Sequence, residues 1–368
     1  MAVTIGVPAE TAPGEQRVAL VPESAAKLVK GGASVTVQKG AGLRAGFTDD
    51  QYVKAGATLA DSAASASAAD VVLHVRRPTA EEAALLKPGT ILIALLQPAA
   101  SADLFGKLAE RKVSALALEK VPRITRAQSM DVLSSQSTAA GYKAVLLGAA
   151  QLGKFLPMLT TAAGSIRPAN VFIIGAGVAG LQAIATTRRL GAVVTGFDVR
   201  AAAAEQVQSL GARFIASELV SAGAEDKGGY AKAQAADEAQ RTLDAIGKHI
   251  GTQDLVITTA LIPGKPAPKL ITAAMVKGMR PGSVIVDLAA EAGGNCELTK
   301  PGETVTVNEV TILGPLNLAA TVPLHASEML SRNMLTLLQH LIKDGALKLD
   351  PSEEITKAML VTHEGAIL

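Results

Sequence analysis

Cysteine occurs once in 368 residues, at Cys296. An intrachain disulfide framework is therefore excluded, and a reducing compartment is the expectation. Tryptophan is absent, and three Tyr and six Phe are all the aromatics there are. So few rings provide no platform for stacking nucleic-acid bases. An excess of charge is missing too: 35 Lys and Arg stand against 33 Asp and Glu, a net +2. Without a basic stripe to neutralise phosphates, nucleic acid is not an expected partner. Long apolar runs are also lacking, although mean hydropathy is +0.31. The best stretch, 171–186, is interrupted by three glycines and a Gln. It is shorter than the roughly 20 apolar residues of a bilayer span. The opening residues MAVTIGVPAE lack the basic and apolar regions of a secretory signal, so a soluble, cytoplasmic chain is expected. Histidines 74, 249, 325, 340 and 363 show no metal-ligand spacing, and no metal is expected.

What the chain does have is Ala, 34 Gly and short apolar runs alternating with helix-like stretches. That alternation predicts parallel sheets covered on both faces, and the length suits two domains. Strands are expected at 3–7, 34–37, 70–74, 90–95 and 113–118. A second series is expected at 171–174, 193–197, 213–215, 255–259, 283–288 and 310–313. Long helices are expected at 141–158 and 324–343, the latter from the periodic Met329, Leu330, Met334, Leu337, Leu338 and Leu341. Residues 162–168 read as a turn-rich break. The fold class expected is α/β, with two Rossmann-like, doubly wound parallel-sheet domains linked by two long helices. The first is discontinuous, 1–136 plus 327–368, and the second covers 137–326.

Gly175, Gly177 and Gly180 follow the apolar strand at 171–174 and open a helix. In a dinucleotide fold the first glycine makes the tight turn, the second admits the pyrophosphate, and the third lets helix and strand approach. The unpaired N–H groups at the helix start then bind the anion. Such a turn alone is a weak signal, since a structural glycine turn looks the same. The next strand, however, ends at Asp198, roughly 20 residues beyond the turn, where a carboxylate accepts from ribose hydroxyls and repels a 2′-phosphate. NAD(H) is thus favoured over NADP(H), with Arg200 as a complication because it could receive that phosphate. Asp198 could equally cap the helix that follows.

Between the two strand series, Arg123, Gln128, Asp131 and Ser134 form a polar stretch with Ile124, Met130, Val132 and Leu133 interspersed. A solvated linker and a ligand-binding loop at an interdomain cleft both account for it. In the second case an Arg–Asp pair would brace the loop and leave the Gln amide for a nicotinamide carboxamide. The run 221–229, SAGAEDKGG, is small, polar and glycine-rich, which suits a mobile lid or an ordinary surface loop.

The run PRITRAQSMDVLSSQS at 122–137 resembles the signature loop of the NAD(H)-binding component of proton-translocating nicotinamide nucleotide transhydrogenase. The similarity extends over nearly the whole chain, through GEQRVAL (14–20), the glycine turn, ITTALIPGKPAP (257–268) and VDLAAEAGGNC (286–296). The resemblance implies that Arg123, Gln128, Asp131 and Ser134 position the nicotinamide. It implies nucleotide contacts at Gly175, Gly177, Val178, Gly180 and Leu261, with the adenosine ribose held at Asp198 beside Val199 and Arg200. It further implies a loop carrying Gly229 that closes through Tyr230.

The resemblance reaches alanine dehydrogenase as well. Where that family uses a lysine, a histidine and an aspartate, this chain has Arg76, Leu95 and Glu291; Arg17 matches its carboxylate-binding arginine and could be structural. Leucine cannot transfer a proton. Direct hydride transfer between two nicotinamides needs no such group, only orientation, which favours the transhydrogenase reading. What that reading implies is NAD(H) here, NADP(H) on a partner, integral membrane subunits with an NADP(H)-binding domain, and a homodimer. The chain would then sit peripherally on the inner face of a bacterial membrane. Residues 355–361 and the helix after Leu324 could pack against a second copy, or within one chain. An alanine-dehydrogenase-like enzyme and a non-catalytic NAD-binding module are the alternatives.

Overall fold

The computed structural model describes residues 2–216, 235–262 and 265–368. The chain divides into two units, one comprising the residues up to Gln136 together with Ala319–Leu368, the other Ser137–Leu318. The helix Val132–Gln151 contains the first boundary. The return falls at the 3-10 turn Leu318–Thr321, ahead of the helix Pro323–Leu341, which belongs wholly to the first unit.

Among the described residues, the first unit is built on an eight-stranded sheet. Its strands run in the order Ala366–Ile367, Leu360–His363, Ser114–Ala117, Ile91–Leu95, Val71–Arg76, Thr4–Val7, Ser34–Gln38 and Thr58–Ala60. The six strands from Ser114–Ala117 to Thr58–Ala60 are parallel; the two from the C-terminus join antiparallel. Strands such as Val71–Arg76 and Ile91–Leu95 are apolar almost throughout because both sheet faces are covered. One face buries Ile5, Val35, Leu73 and Ile93 with Leu330, Met334 and Leu338 from the helix Pro323–Leu341. The other buries Val72, Leu92 and Ala115 against Leu104, Phe105 and Leu108 of the helix Ala102–Glu110.

The C-terminal segment is consumed by the same packing. Ile355, Met359 and Leu360 join the first core and Val361 the second. Leu360 pairs with Leu116, and Thr362 donates to Val113 O at 2.9 Å. Of the two roles open to 355–361 and the last long helix, packing within one chain is therefore the one these side chains perform.

The second unit has a seven-stranded sheet in the order Arg213–Phe214, Val193–Phe197, Asn170–Ile174, Leu255–Thr258, Val284–Asp287, Val310–Leu313 and Thr304–Val307. Only the last pairs antiparallel. In both units the first strand lies centrally and the order reverses beside it, which is the doubly wound Rossmann arrangement. Crevices form where the order reverses. In the second unit that point lies between Asn170–Ile174 and Leu255–Thr258, in the first between Thr4–Val7 and Val71–Arg76.

Two elements differ from expectation. The helix expected at 141–158 runs instead over Val132–Gln151, because Asp131 caps it: Asp131 Oδ1 accepts from Ser134 N–H at 2.9 Å. Gly148 sits within it, where a Cβ would lie 2.6 Å from Leu255 Cδ1. The break expected at 162–168 is an antiparallel hairpin, Leu159–Thr161 with Gly164–Ile166. No helix among the described residues is long and apolar enough to cross a membrane.

Candidate functional site: a glycine turn at the switch point of the second unit

Strand Asn170–Ile174 delivers the chain to Gly175, whose φ of +92° is the left-handed region that glycine adopts without strain. A Cβ there would also lie 2.7 Å from Thr259 Oγ1. Gly177 is the N-cap of the helix Val178–Arg189, and a Cβ on it would meet nothing within 4 Å. Gly180 is buried, and its Cβ would fall 1.8 Å from Gly175 O. The first and third glycines are thus required by the protein's own packing. The second leaves space directly before a helix start, whose first-turn N–H groups have no intrahelical acceptor. A pyrophosphate fits that cradle.

Asp198 lies buried after strand Val193–Phe197. Its Oδ2 accepts from Ala176 N–H at 2.7 Å, tying it to the middle of the glycine turn. Arg200 meets it through backbone N–H and Nε at Oδ1, both 2.9 Å, and through Nη2 at Oδ2, 2.8 Å. The helix Ala201–Ser209 has Arg200 as its N-cap, so helix capping is not the role of the Asp198 side chain. Arg200 neutralises the carboxylate where ribose hydroxyls are expected. Val199 is half-buried beside it, and Val178 is exposed at the helix start.

The opposite wall follows strand Leu255–Thr258. Thr259 Oγ1 donates to Gly175 O at 3.0 Å, and Asn295 holds both peptide groups of Ala260. Leu261 follows, 46% exposed. Gly229, Tyr230 and the run 221–229 lie outside the described residues. Thr259 and Asn295 are not among the candidates that sequence reasoning picks out; both sit inside runs that carry the resemblance, but neither has a spacing signature.

Arg123, Gln128, Asp131 and Ser134 belong to the first unit. Gln128 is exposed on the 3-10 turn Thr125–Met130, and Arg123 is exposed just before it. Asp131 and Ser134 are brought together, with Ser134 Oγ donating to Asp131 Oδ2 at 2.5 Å in addition to the capping bond. Both oxygens of Asp131 are thus engaged by Ser134. The expected brace to Asp131 has a counterpart in Arg126, which meets Glu353 at 2.8 Å and Glu354 at 2.9 Å. Asn333 Nδ2 donates to Ser129 O at 2.7 Å, and Ala127 and Met130 anchor the turn in the core. Burial pushes the Glu353 carboxyl up, but Thr356 N–H, His340 and Arg126 together hold it down to about 2.

The switch point of the first unit is filled by its own side chains. Glu10 Oε1 accepts from Val75 N–H at 2.8 Å and meets His74 Nδ1 at 3.1 Å, both side chains buried. Burial works against the charged imidazole, yet the Glu10 carboxylate outweighs it and raises the His74 pKa. Arg17 is buried with its Nε and Nη2 on Glu15 at 2.8 and 2.7 Å and its Nη1 on Gln136 Oε1 at 2.7 Å. Leu95 and Arg76 are half-buried at the ends of their strands. Glu291, exposed in the second unit, accepts from Asn317 N–H at 2.5 Å.

Comparison with known proteins places these features. The family model for the alanine dehydrogenase/PNT N-terminal domain matches residues 6–140, and that for the C-terminal domain residues 144–368. The first polypeptide of the split NAD(P) transhydrogenase subunit alpha of Rhodospirillum rubrum is 49% identical over 373 residues, covering 99% of this chain and 97% of that protein. Alanine dehydrogenase of Mycobacterium tuberculosis is 31% identical over 372 residues, covering 99% and 94%. Among solved structures, a transhydrogenase from Sinorhizobium meliloti matches with a TM-score of 0.87 at 44% identity, over 99% of this chain and 98% of the other. An L-alanine dehydrogenase matches at 0.83 and 29%, over 99% and 96%.

Proposed function

This chain belongs to the alanine dehydrogenase/PNT family, and we propose that within it the chain is the NAD(H)-binding alpha component of a proton-translocating NAD(P) transhydrogenase. The observation that carries the reading is the glycine cradle, with Gly177 open before a helix start and Asp198 bonded to the same turn. The first-turn N–H groups of the helix Val178–Arg189 hold the pyrophosphate. Asp198 accepts from the adenosine ribose as Arg200 shares its acceptor, and the carboxylate disfavours a 2′-phosphate there. Leu261 lines the nucleotide. Arg123 and Gln128 orient the nicotinamide, Gln128 by donating to and accepting from its carboxamide, while Asp131 and Ser134 fix the start of the helix after them. When bound, NADH supplies a hydride that passes directly to NADP⁺ on a partner domain.

The first unit supports this chemistry over amino-acid oxidation. Leu95 cannot move a proton, and Arg17, the counterpart of a substrate-carboxylate arginine, is already engaged by Glu15 and Gln136. Proton translocation is assigned to integral membrane partners, with this chain as a peripheral subunit on the inner face of the membrane and paired with a second copy. The test adds the purified chain to bacterial membranes that carry the integral transhydrogenase subunits but lack this one, and follows reduction of an NADP⁺ analogue by NADH. Transfer that needs both chain and membranes supports the assignment. NADH binding without transfer overturns it, and turnover of pyruvate with ammonium would then identify a dehydrogenase.

A further inference from the structure

We infer that Asn295 is a positioning residue for the dinucleotide, setting the wall that faces the glycine turn. The inference rests on the NAD(H)-binding reading and adds a residue to it. Asn295 is fully buried. Its Oδ1 accepts from Ala260 N–H at 3.0 Å, and its Nδ2 donates to Ala260 O at 2.8 Å and to Pro268 O at 2.9 Å. One amide thereby holds both polar groups of the residue that leaves the switch-point strand. Asn295 is itself fixed: its carbonyl accepts from the N–H groups of Leu270 and Ile271 at 2.8 and 3.0 Å. The next residue, Cys296, donates its N–H to the buried Asp287 carboxylate at 3.0 Å, which also accepts from Thr258, Ala289 and Thr299.

The fixed loop meets the site directly. Thr259 Oγ1 bonds Gly175 O, and a Cβ built on Gly175 would lie 3.1 Å from Ala260 N. Ala260 therefore determines how the chain passes Gly175, the residue that must leave room for a pyrophosphate, and where Leu261 emerges. No other side-chain type has an acceptor and a two-proton donor at this length. An ionised Asp keeps the acceptor but sets a negative charge against two carbonyl oxygens; a protonated Asp again presents one acceptor and one donor.

The test titrates NADH into the purified chain by its fluorescence and records thermal melting for wild type, Asn295→Ala, Asn295→Asp and Thr299→Val. Asn295→Ala leaves Ala260 unheld and is expected to weaken NADH roughly tenfold. Thr299→Val removes a bond to Asp287 without touching Ala260, so it lowers the melting temperature while NADH affinity stays within about twofold. Asn295→Asp binds weakly at about pH 8 and recovers towards about pH 5 as its carboxyl takes up a proton, a profile wild type does not share. Equal affinity in wild type and Asn295→Ala overturns the inference, as does parallel loss in Thr299→Val. Should Asn295→Ala not fold, a flat pH profile in Asn295→Asp overturns it instead. Wild type that binds no NADH overturns the NAD(H) reading itself.

Discussion

Gly177→Ala isolates the ligand's demand on the glycine turn from the protein's own. The backbone there, φ −76° and ψ −168°, suits any residue, and a Cβ meets nothing within 4 Å. Replacing Gly by Ala at an N-cap costs about 0.5–1 kcal/mol. At about 2–4 °C per kcal/mol for a domain of this size, melting shifts only slightly. The methyl group instead fills the space in front of the first-turn N–H groups and holds a pyrophosphate away from them. Losing even one charged hydrogen bond, about 1.5–3 kcal/mol, raises the NADH dissociation constant about tenfold or more. Gly180→Ala behaves differently, because its Cβ would sit 1.8 Å from Gly175 O, and van der Waals contact demands that the helix retreat. Overpacking of that kind costs about 1–3 kcal/mol, so both melting temperature and affinity fall. Gly106→Ala, in open space within the helix Ala102–Glu110, serves as control and stabilises by about 0.5–1 kcal/mol without altering binding. Thermal melts and NADH fluorescence titrations of the three variants are the assay. Wild-type affinity in a folded Gly177→Ala would refute the placing of the pyrophosphate at this turn.

Asp198→Ala should weaken NADH by about 1–3 kcal/mol and also lower the melting temperature, because Ala176 N–H and Arg200 lose their acceptor; unchanged affinity would put the ribose elsewhere. Gln128→Asn should keep NADH affinity within about threefold, since the residue is exposed and outside the glycine cradle, but slow transfer to the NADP⁺ analogue. Equal transfer rates would remove Gln128 from the reaction. Glu353 has a folded pKa of about 2, below the ordinary glutamate value of 4.5. Its stabilising contribution is therefore complete above the unfolded value and lost as pH falls through about 4.5 towards 2. Glu353→Gln should accordingly lower the melting temperature at neutral pH and much less near pH 2; an equal loss at both would contradict the charged network with Arg126 and His340.

Much of the fold was legible because its determinants are local. Uninterrupted apolar strands such as Ile91–Leu95, glycine at a turn and heptad-like spacing in Pro323–Leu341 act through neighbours a few residues away. The short strands Thr58–Ala60 and Thr304–Val307 lack that signal, being half-exposed at sheet edges. Leu360–His363 is a strand only because Ser114–Ala117 offers it a partner. The start of the helix Val132–Gln151 needs no distant partner, yet the sequence conceals it, because Asp131 reads as readily as a ligand as it does a cap.

Residue chemistry alone established the candidate glycines, the acid at Asp198 and the absence of an imidazole at position 95. Only the tertiary structure decided how each polar group is satisfied. Arg17 turned from a possible substrate anchor into a buried ion pair when Glu15 and Gln136 closed on it. Ser129 is held by Asn333 from 204 positions away, and Ala260 by Asn295 from 35. Periodicity reports which side chains leave water, because burial follows from the pitch of a helix or strand. It carries no information about which donor meets which acceptor, since that depends on the distance between elements far apart in the chain.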